Sequence, residues 1–202
     1  RAEEIIRAAC PHMTGRIQPV PFSMAQRRGL GTKRIESWRA SADFAVDAFN
    51  DGAHSVALAT VGDPAVYSTF TYLRANVEER LPDVVIALVP GITAMQAIAA
   101  AAGTPLVEGR EILALVPATV GSEKLGEVLD VVDSVTVYKG GRKMPEVLEQ
   151  IRERGRDAII GTDVSLPTQH LLGLAQVEAD ESAPYFSTVL SVPERPVTGG
   201  KL

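Results

Sequence analysis

The chain alternates between short apolar runs and amphipathic stretches. Apolar runs of four to eight residues predict buried strands, and apolar positions spaced three or four residues apart predict helices. After the end of an opening helix over 2–10, the first half carries three predicted strands and three predicted helices. The strands are 17–22, 56–59 and 84–89, and the helices are 37–50, 68–79 and 94–102. Strands that alternate with helices indicate βαβ units and a parallel sheet.

The second half continues this alternation and then loses it. Its predicted strands are 112–116, 135–138 and 158–160, and its predicted helices are 123–129 and 145–154. The last two apolar segments, 171–179 and 186–192, have no helix between them, so we expect antiparallel strands there. A natural hinge lies at Pro90-Gly91. We therefore predict a two-lobed α/β protein, with a parallel-sheet N-terminal lobe over 1–90 and a mixed-sheet C-terminal lobe over 91–202.

One strand end concentrates polar chemistry. It is the segment 60–69, which follows the predicted strand 56–59 and opens the helix 68–79. Gly62 allows the backbone to approach a ligand closely, and Asp63 adds a carboxylate. The hydroxyl groups belong to Tyr67, Ser68 and Thr69. Because ligands of parallel α/β folds bind at the carboxyl ends of strands, this segment is a candidate site.

Four other apolar runs end in the same manner, with small, proline or hydroxyl residues. They are followed by 90–94, 117–119, 139–141 and 161–163. Any one of these is most simply an ordinary turn. Five such ends in one short chain favour a site that holds a flat polar cofactor through main-chain groups. Thr93 is also a suitable N-cap for the helix 94–102.

Composition limits the class of protein. A chain of 202 residues with 46% hydrophobic content can bury a core, and a net charge of −5 argues against nucleic-acid binding. The single cysteine, Cys10, excludes an internal disulfide and favours a reducing, cytoplasmic compartment. No apolar run approaches the roughly 20 residues that cross a bilayer, and we expect no membrane partner. The sequence shows no signal peptide and begins with Arg1, so we expect that its true start is missing.

Several kinds of active site lack their signatures. The three histidines, His12, His54 and His170, are scattered, and no His or Cys pair has metal-ligand spacing, so no metal is predicted. Ser68 has no G-x-S-x-G context, and neither a Walker loop nor G-x-G-x-x-G occurs. A hydrolase and a conventional ATP or NAD site are therefore not favoured.

A basic cluster stands out in this acidic chain. Arg27, Arg28, Lys33 and Arg34 fall in a predicted Gly- and Arg-rich loop over 25–34. The cluster is either a solvated surface loop or a loop that meets a polyanionic substrate, because arginine binds carboxylates in a bidentate manner.

The motifs together resemble the tetrapyrrole methylases. The resemblance lies in Gly62-Asp63-Pro64 with Tyr67-Ser68-Thr69, in Pro90-Gly91-Ile92-Thr93-Ala94, in Lys139-Gly140-Gly141-Arg142 and in Gly161-Thr162-Asp163. It extends over almost the whole chain. Within the family, Tyr67-Ser68-Thr69 is most similar to the branch that methylates C20 of precorrin-2. The family also begins with a first strand and a Gly-rich loop that have no counterpart here, so we expect the start of the first lobe to be missing.

The resemblance implies a homodimer that binds S-adenosylmethionine and methylates a corrin-type ring in cobalamin synthesis. It implies that main-chain groups hold the cofactor, at Gly62, Asp63, Val66, Thr93, Ala94, Lys139 and Gly161. Lys139 replaces a methionine of some relatives, so only its backbone role is carried over. The substrate would meet Ser68, Thr69, Arg27 and Arg28.

The implied reaction is an in-line methyl transfer to a nucleophilic ring carbon, which needs mostly proximity and alignment. Tyr67 or Asp63 would accept or relay the proton that leaves this carbon. Whether the substrate carries cobalt stays open. The alternatives are another tetrapyrrole methylase, diphthine synthase, or a catalytically silent domain that binds the cofactor.

Overall fold

The computed structural model describes residues 2–20, 31–180 and 182–195. The chain divides into two compact units, Arg1–Ile92 and Thr93–Leu202. Each unit has its own buried hydrophobic cluster.

Unit 1 is built around two helices. It begins with α1 (Ala2–Ala9) and a 3₁₀ helix (Pro11–Arg16), followed by α2 (Thr32–Asn50) and α3 (Phe70–Arg80). Helices α2 and α3 pack against each other through buried Ala42, Leu73 and Val77. The early start of α2 corrects the predicted loop over 25–34, because Lys33 and Arg34 lie on this helix; residues 25–30 fall outside the described residues.

The strands predicted for unit 1 are not present among its described residues. Residues 17–20, 56–59 and 84–89 have no strand assignment, and residues 21 and 22 fall outside the described part. Val85 and Val89, which we expected to be buried, are 93% and 81% exposed. The physical reason is that a strand needs a neighbour to complete its ladder of hydrogen bonds. An apolar run supplies the burial preference but not that neighbour.

Unit 2 contains the sheet. In chain order it comprises α4 (Ala94–Ala102), β1 (Leu113–Pro117), α5 (Ser122–Val131), β2 (Ser134–Tyr138), α6 (Met144–Glu153), β3 (Ile159–Thr162), β4 (His170–Gly173) and β5 (Ser187–Ser191). Three short 3₁₀ helices, Ala118–Val120, Gly141–Lys143 and Leu174–Gln176, join these elements. Each predicted helix and strand of this half is confirmed with small shifts in its bounds, except that the segment 171–179 is a strand only as far as Gly173.

The sheet is mixed, as predicted, with the strand order β1-β2-β5-β3-β4. β1 and β2 are parallel, whereas β5 lies between β2 and β3 and runs antiparallel to both. Val137 and Ile160 both pair with Val189, so they lie at the same level across β5. The last residues of β2 and β3 therefore reach the same edge of the sheet.

Helices cover both faces of this sheet. Val135, Val137 and Val189 are fully buried on one face and pack with residues of α5 and α6 such as Leu125 and Leu148. On the other face, Leu190 packs against Ile98 of α4. This layered arrangement fixes the positions of the loops that follow β2 and β3.

Candidate cofactor and substrate site

Asp63 ties together two segments of unit 1. Its Oδ1 accepts the N–H of Ala65 at 2.7 Å, and its Oδ2 accepts the N–H of Gly91 at 2.9 Å. These two backbone donors, Gly91 first, lower the pKa of the Asp63 carboxyl below its usual range. The carboxylate is therefore held ionised, and both of its oxygens are engaged in positioning the backbone.

A close approach of two backbones reinforces this tie. A Cβ built on Gly91 would lie 2.2 Å from the carbonyl oxygen of Gly62. Only glycine fits at this position. Gly62 itself has a φ of +80°, in the region that glycine adopts without strain. The two predicted strand ends therefore meet at Gly62, Asp63 and Gly91, although the strands themselves are absent.

We call the meeting point of Gly62, Asp63 and Gly91 the corner of unit 1. Tyr67 lies just beyond this corner in a strained conformation. Its φ is +50°, which is uncommon for a residue with a side chain, and its side chain is 42% exposed. Strain of this kind concentrates at functional sites. The two residues that follow help to start α3: Ser68 Oγ accepts the N–H of Phe70 at 3.1 Å, and the carbonyl of Thr69 accepts the N–H of Tyr72 at 3.2 Å.

In unit 2 the N-terminus of α4 is capped on two sides. Thr93 forms a capping box with Gln96, which confirms the predicted cap. The next donor, the N–H of Met95, is accepted by the hydroxyl of Tyr138 at 3.2 Å. The first turn of α4 therefore contacts the side chain of Tyr138, the last residue of β2, which Lys139 follows.

The loops after β2 and β3 repeat the strain that is seen at Tyr67. Lys139 has a φ of +60° and Asp163 a φ of +51°. Gly161 lacks a side chain because Ile98 of α4 packs against it; a Cβ there would lie 2.6 Å from Ile98 Cγ1. The cofactor residues predicted for unit 2 are thus grouped at one edge of the sheet.

The remaining predicted residues are placed as follows. Val66 donates its N–H to the carbonyl of Asp63 at 3.2 Å, so it belongs to the same turn. Arg27 and Arg28 lie outside the described residues.

Sequence reasoning missed Tyr138 and the packing role of Gly91. The position of Tyr138, directly before the loop at Lys139, was the available signal.

Among the described residues, each unit contains a cavity. In unit 1 a cavity of about 400 Å³ lies behind the corner and is lined by Gly62, Pro64 and Phe70, together with the apolar segments 56–60 and 84–89. In unit 2 a cavity of about 580 Å³ lies where β2 and β3 begin. That second cavity is at the opposite edge of the sheet from Lys139 and Gly161.

Arg156 forms part of the wall of the unit 2 cavity. Its Nη1 donates to the carbonyls of Leu129 and Val132, both at 2.9 Å, and its Nη2 donates to the carbonyl of Asp133. Burial lowers the pKa of this guanidinium. Arg156 satisfies carbonyls at the end of α5, which is a structural role.

Within the described ranges, no group of three or more His, Cys, Asp or Glu side chains could hold a metal ion. The same part of the chain contains no helix that is both long and apolar enough to cross a bilayer.

Comparison with known proteins identifies the family. A model of the Tetrapyrrole (Corrin/Porphyrin) Methylases matches residues 1–177. The chain belongs to the tetrapyrrole methylase family. Its α/β architecture agrees with this assignment, and it confirms the α/β class and the mixed sheet expected from the sequence.

Curated tetrapyrrole methylases are similar over much of the chain. The precorrin-2 C(20)-methyltransferase of Sinorhizobium sp. is 32% identical over 161 residues, which are 79% of this chain and 64% of that protein. The cobalamin biosynthesis protein CobIJ of Mycobacterium tuberculosis is 31% identical over 86% of this chain and 34% of that protein. The chain thus spans from about a third to somewhat under two thirds of the length of these relatives.

Solved structures agree on the fold. The methyltransferase CobJ has a TM-score of 0.58 at 25% identity, covering 89% of this chain and 79% of that one. Cobalt precorrin-4 methyltransferase CbiF has a TM-score of 0.60 at 16% identity and covers 90% of this chain and 78% of that one. Uroporphyrin-III C-methyltransferase from Thermus thermophilus, complexed with S-adenosyl homocysteine, has a TM-score of 0.58 at 17% identity, over 81% and 75%.

Proposed function

We propose that this chain forms part of a methyltransferase that transfers a methyl group from S-adenosylmethionine to C20 of precorrin-2, in cobalamin biosynthesis. The supporting observation is its 32% identity, over 79% of its length, to the Sinorhizobium precorrin-2 C(20)-methyltransferase. A probable cobalt-precorrin-2 C(20)-methyltransferase of Methanocaldococcus jannaschii is 40% identical over 52% of the chain. The proposed substrate is therefore precorrin-2 or its cobalt form.

The residues fit the proposed cofactor. Bound S-adenosylmethionine would supply a methyl group on a positively charged sulfur. The residues proposed to hold it are Gly62, Val66, Thr93, Ala94, Lys139 and Gly161. These positions offer main-chain groups and few bulky side chains, and the backbone at Gly62 and Lys139 turns through positive φ. The Thermus thermophilus neighbour with bound S-adenosyl homocysteine supports this choice.

We propose separate roles for the two candidate proton acceptors. Asp63 acts as a positioning residue, because both of its oxygens already accept backbone N–H groups and its pKa is lowered. Tyr67 has the exposed side chain and the strained backbone of a residue held for contact with a ligand. Tyr67 would therefore relay the proton that leaves the methylated carbon, by accepting it on its hydroxyl oxygen while it passes its own proton to solvent. Ser68 and Thr69 would contact the substrate.

The contribution of the chain to the reaction is mainly alignment. Displacement at a methyl carbon needs the ring carbon and the leaving sulfur in line, and such alignment is worth roughly 7–11 kcal/mol. In unit 1, the hydrogen bond from Gly91 to Asp63 and the close contact of Gly91 with Gly62 fix the corner. In unit 2, the capping of α4 fixes this helix at the sheet edge where β2 and β3 end.

The test is mass spectrometry of precorrin-2 incubated with S-adenosylmethionine and the full-length protein. We expect the product to gain one methyl group, and NMR to place it at C20. A methyl group at another ring position would assign the chain to a different tetrapyrrole methylase. Cofactor binding in a calorimeter without methylation of precorrin-2, of its cobalt form or of elongation factor would identify a silent domain. Methylation of elongation factor alone would indicate diphthine synthase.

We further propose that the enzyme is a cytoplasmic homodimer. Light scattering of the full-length protein should give twice the mass of one chain, and fractionation of cells should recover it with cytoplasmic markers. A monomer at micromolar concentration would overturn the first proposal, and recovery with membranes would overturn the second.

A further inference from the structure

Trp38 and Tyr72 form a stacked aromatic pair in unit 1. Their ring centroids are 4.0 Å apart and their planes differ by 2°, so the rings are stacked. Trp38 is only 7% exposed, whereas Tyr72 is 45% exposed. Because one face of Tyr72 covers Trp38, its exposed area lies on the outer face and on the ring edge. The packing of Trp38 holds this outer face in a fixed orientation.

Tyr72 follows the proposed substrate residues Ser68 and Thr69 within the first turn of α3. Tyr72 is in the first turn of α3, and its N–H donates to the carbonyl of Thr69 at 3.2 Å. Ser68 and Thr69 immediately precede this turn. A ligand that contacts these two hydroxyl groups therefore has a flat aromatic surface beside it.

The charge of the neighbouring helix favours an anionic ligand. The first eight residues of α2 contain three basic residues, Lys33, Arg34 and Arg39, and one acidic residue, Glu36. Arg34 lies one helical turn before Trp38 and so shares its side of the helix. This local excess of positive charge occurs in a chain whose net charge is −5.

We propose that the outer face of Tyr72 is a stacking surface for the tetrapyrrole ring, with Arg34, which shares the side of α2 that carries Trp38, facing the ring carboxylates. Aromatic rings stack favourably on flat conjugated groups, and arginine recognises carboxylates. Protein segments would also pack on an exposed tyrosine, but the adjoining positive charge favours a polycarboxylate. The inference rests on the proposed function, because a tetrapyrrole is the substrate proposed above.

The test uses uroporphyrin III, a stable porphyrin with eight carboxylates, as the probe. Its dissociation constant is measured from its visible absorbance with the full-length wild-type protein and with Tyr72→Ala, Tyr72→Phe and Tyr185→Ala. Tyr185 is an exposed tyrosine of unit 2 and serves as the matched control. Far-UV circular dichroism shows whether each variant remains folded.

We expect Tyr72→Ala to weaken porphyrin binding about tenfold, which is the usual scale for loss of one stacking contact. Tyr72→Phe and Tyr185→Ala should stay within about twofold of the wild type, and the affinity for S-adenosylmethionine should not change in any variant. Unchanged porphyrin binding by Tyr72→Ala, or equal losses in Tyr72→Ala and Tyr185→Ala, would overturn the inference.

Failure of the proposed stacking surface can be distinguished from failure of the proposed function. If the wild type methylates precorrin-2 while Tyr72→Ala keeps the wild-type KM, the stacking surface is wrong and the function stands. If the wild type binds porphyrin through Tyr72 but transfers no methyl group, the surface stands and the reaction is wrong.

Discussion

The two units start from the same sequence pattern and reach different structures. In unit 2 every predicted strand lies in one sheet, and Val135, Val137 and Val189 are fully buried between its helices. In the described part of unit 1 the apolar runs form no sheet, and Val85 and Val89 are largely exposed. The comparison shows that an apolar run indicates a preference for burial, whereas a strand also needs a neighbouring strand to complete its hydrogen bonds.

The units also position their proposed site residues by different means. Unit 1 holds its corner with a side chain, Asp63, that bridges two backbone segments. Unit 2 holds its edge with a sheet ladder and with the capped N-terminus of α4. Mutations that act on the core should therefore affect the units unequally, and mutations at the corner should affect activity more than stability.

The largest expected effect concerns the cores. Leu148 is fully buried in unit 2, and Leu148→Ala should lower the free energy of unfolding by about 2–5 kcal/mol. Leu88 lies in an exposed segment of unit 1, and Leu88→Ala should cost less than about 0.5 kcal/mol. Urea unfolding followed by circular dichroism measures both. Equal losses would show that the segment containing Leu88 is buried in solution.

The second prediction concerns the corner of unit 1. A methyl group at position 91 would lie 2.2 Å from the carbonyl oxygen of Gly62, so the backbone must shift. Since a displacement of about 1 Å can cost about a hundredfold in rate, we expect Gly91→Ala to lower kcat/KM about a hundredfold. The control is Gly15→Ala, where a new Cβ meets no atom within 4 Å. Activity of Gly91→Ala within a few-fold of the control would contradict the proposed role of this corner.

The third prediction concerns the carbonyl groups that Arg156 binds at the end of α5 in unit 2. Arg156→Met leaves the carbonyls of Leu129 and Val132 without their donor, and we expect a loss of about 2 kcal/mol in the free energy of unfolding. Lys124→Met removes an exposed ion pair with Glu127 and should cost less than about 0.5 kcal/mol. Thermal unfolding compares the two. A small effect at Arg156 would mean that water replaces the guanidinium.

The smallest effect is a dependence on pH. Hydrogen bonding to Arg195 lowers the pKa of the buried Glu111 carboxyl. A lowered pKa stabilises the folded state above the ordinary value for glutamate, about 4.3, and this stabilisation is lost as the pH falls through the lower folded value. We expect the Tm of the wild type to fall by a few degrees below about pH 4.3. Glu111→Gln should have a lower Tm at pH 7 and a flatter profile; an equally steep profile would exclude Glu111 as the cause.

Most of unit 2 was predictable because its signals are local. The periodicity of 145–154 and the cap at Thr93 mark α6 and α4 to within a residue or two. The placement of β5 between β2 and β3 was not predictable, since antiparallel pairing of distant strands depends on the whole sheet. At the corner, the sequence indicated Gly62 and Asp63, but the contact of Gly91 with Gly62 joins residues almost thirty positions apart.

The sequence by itself determined the family, the mixed sheet of unit 2 and the polar residues of the corner, because these follow from motifs and from periodicity. Only the tertiary structure decided that Asp63 bridges two backbone segments, that Tyr138 caps α4 and that Tyr72 stacks on Trp38. It also decided that the apolar runs of unit 1 are not paired in its described part. The physical reason is that hydrogen bonds and stacking contacts between distant residues depend on geometry that no local pattern contains.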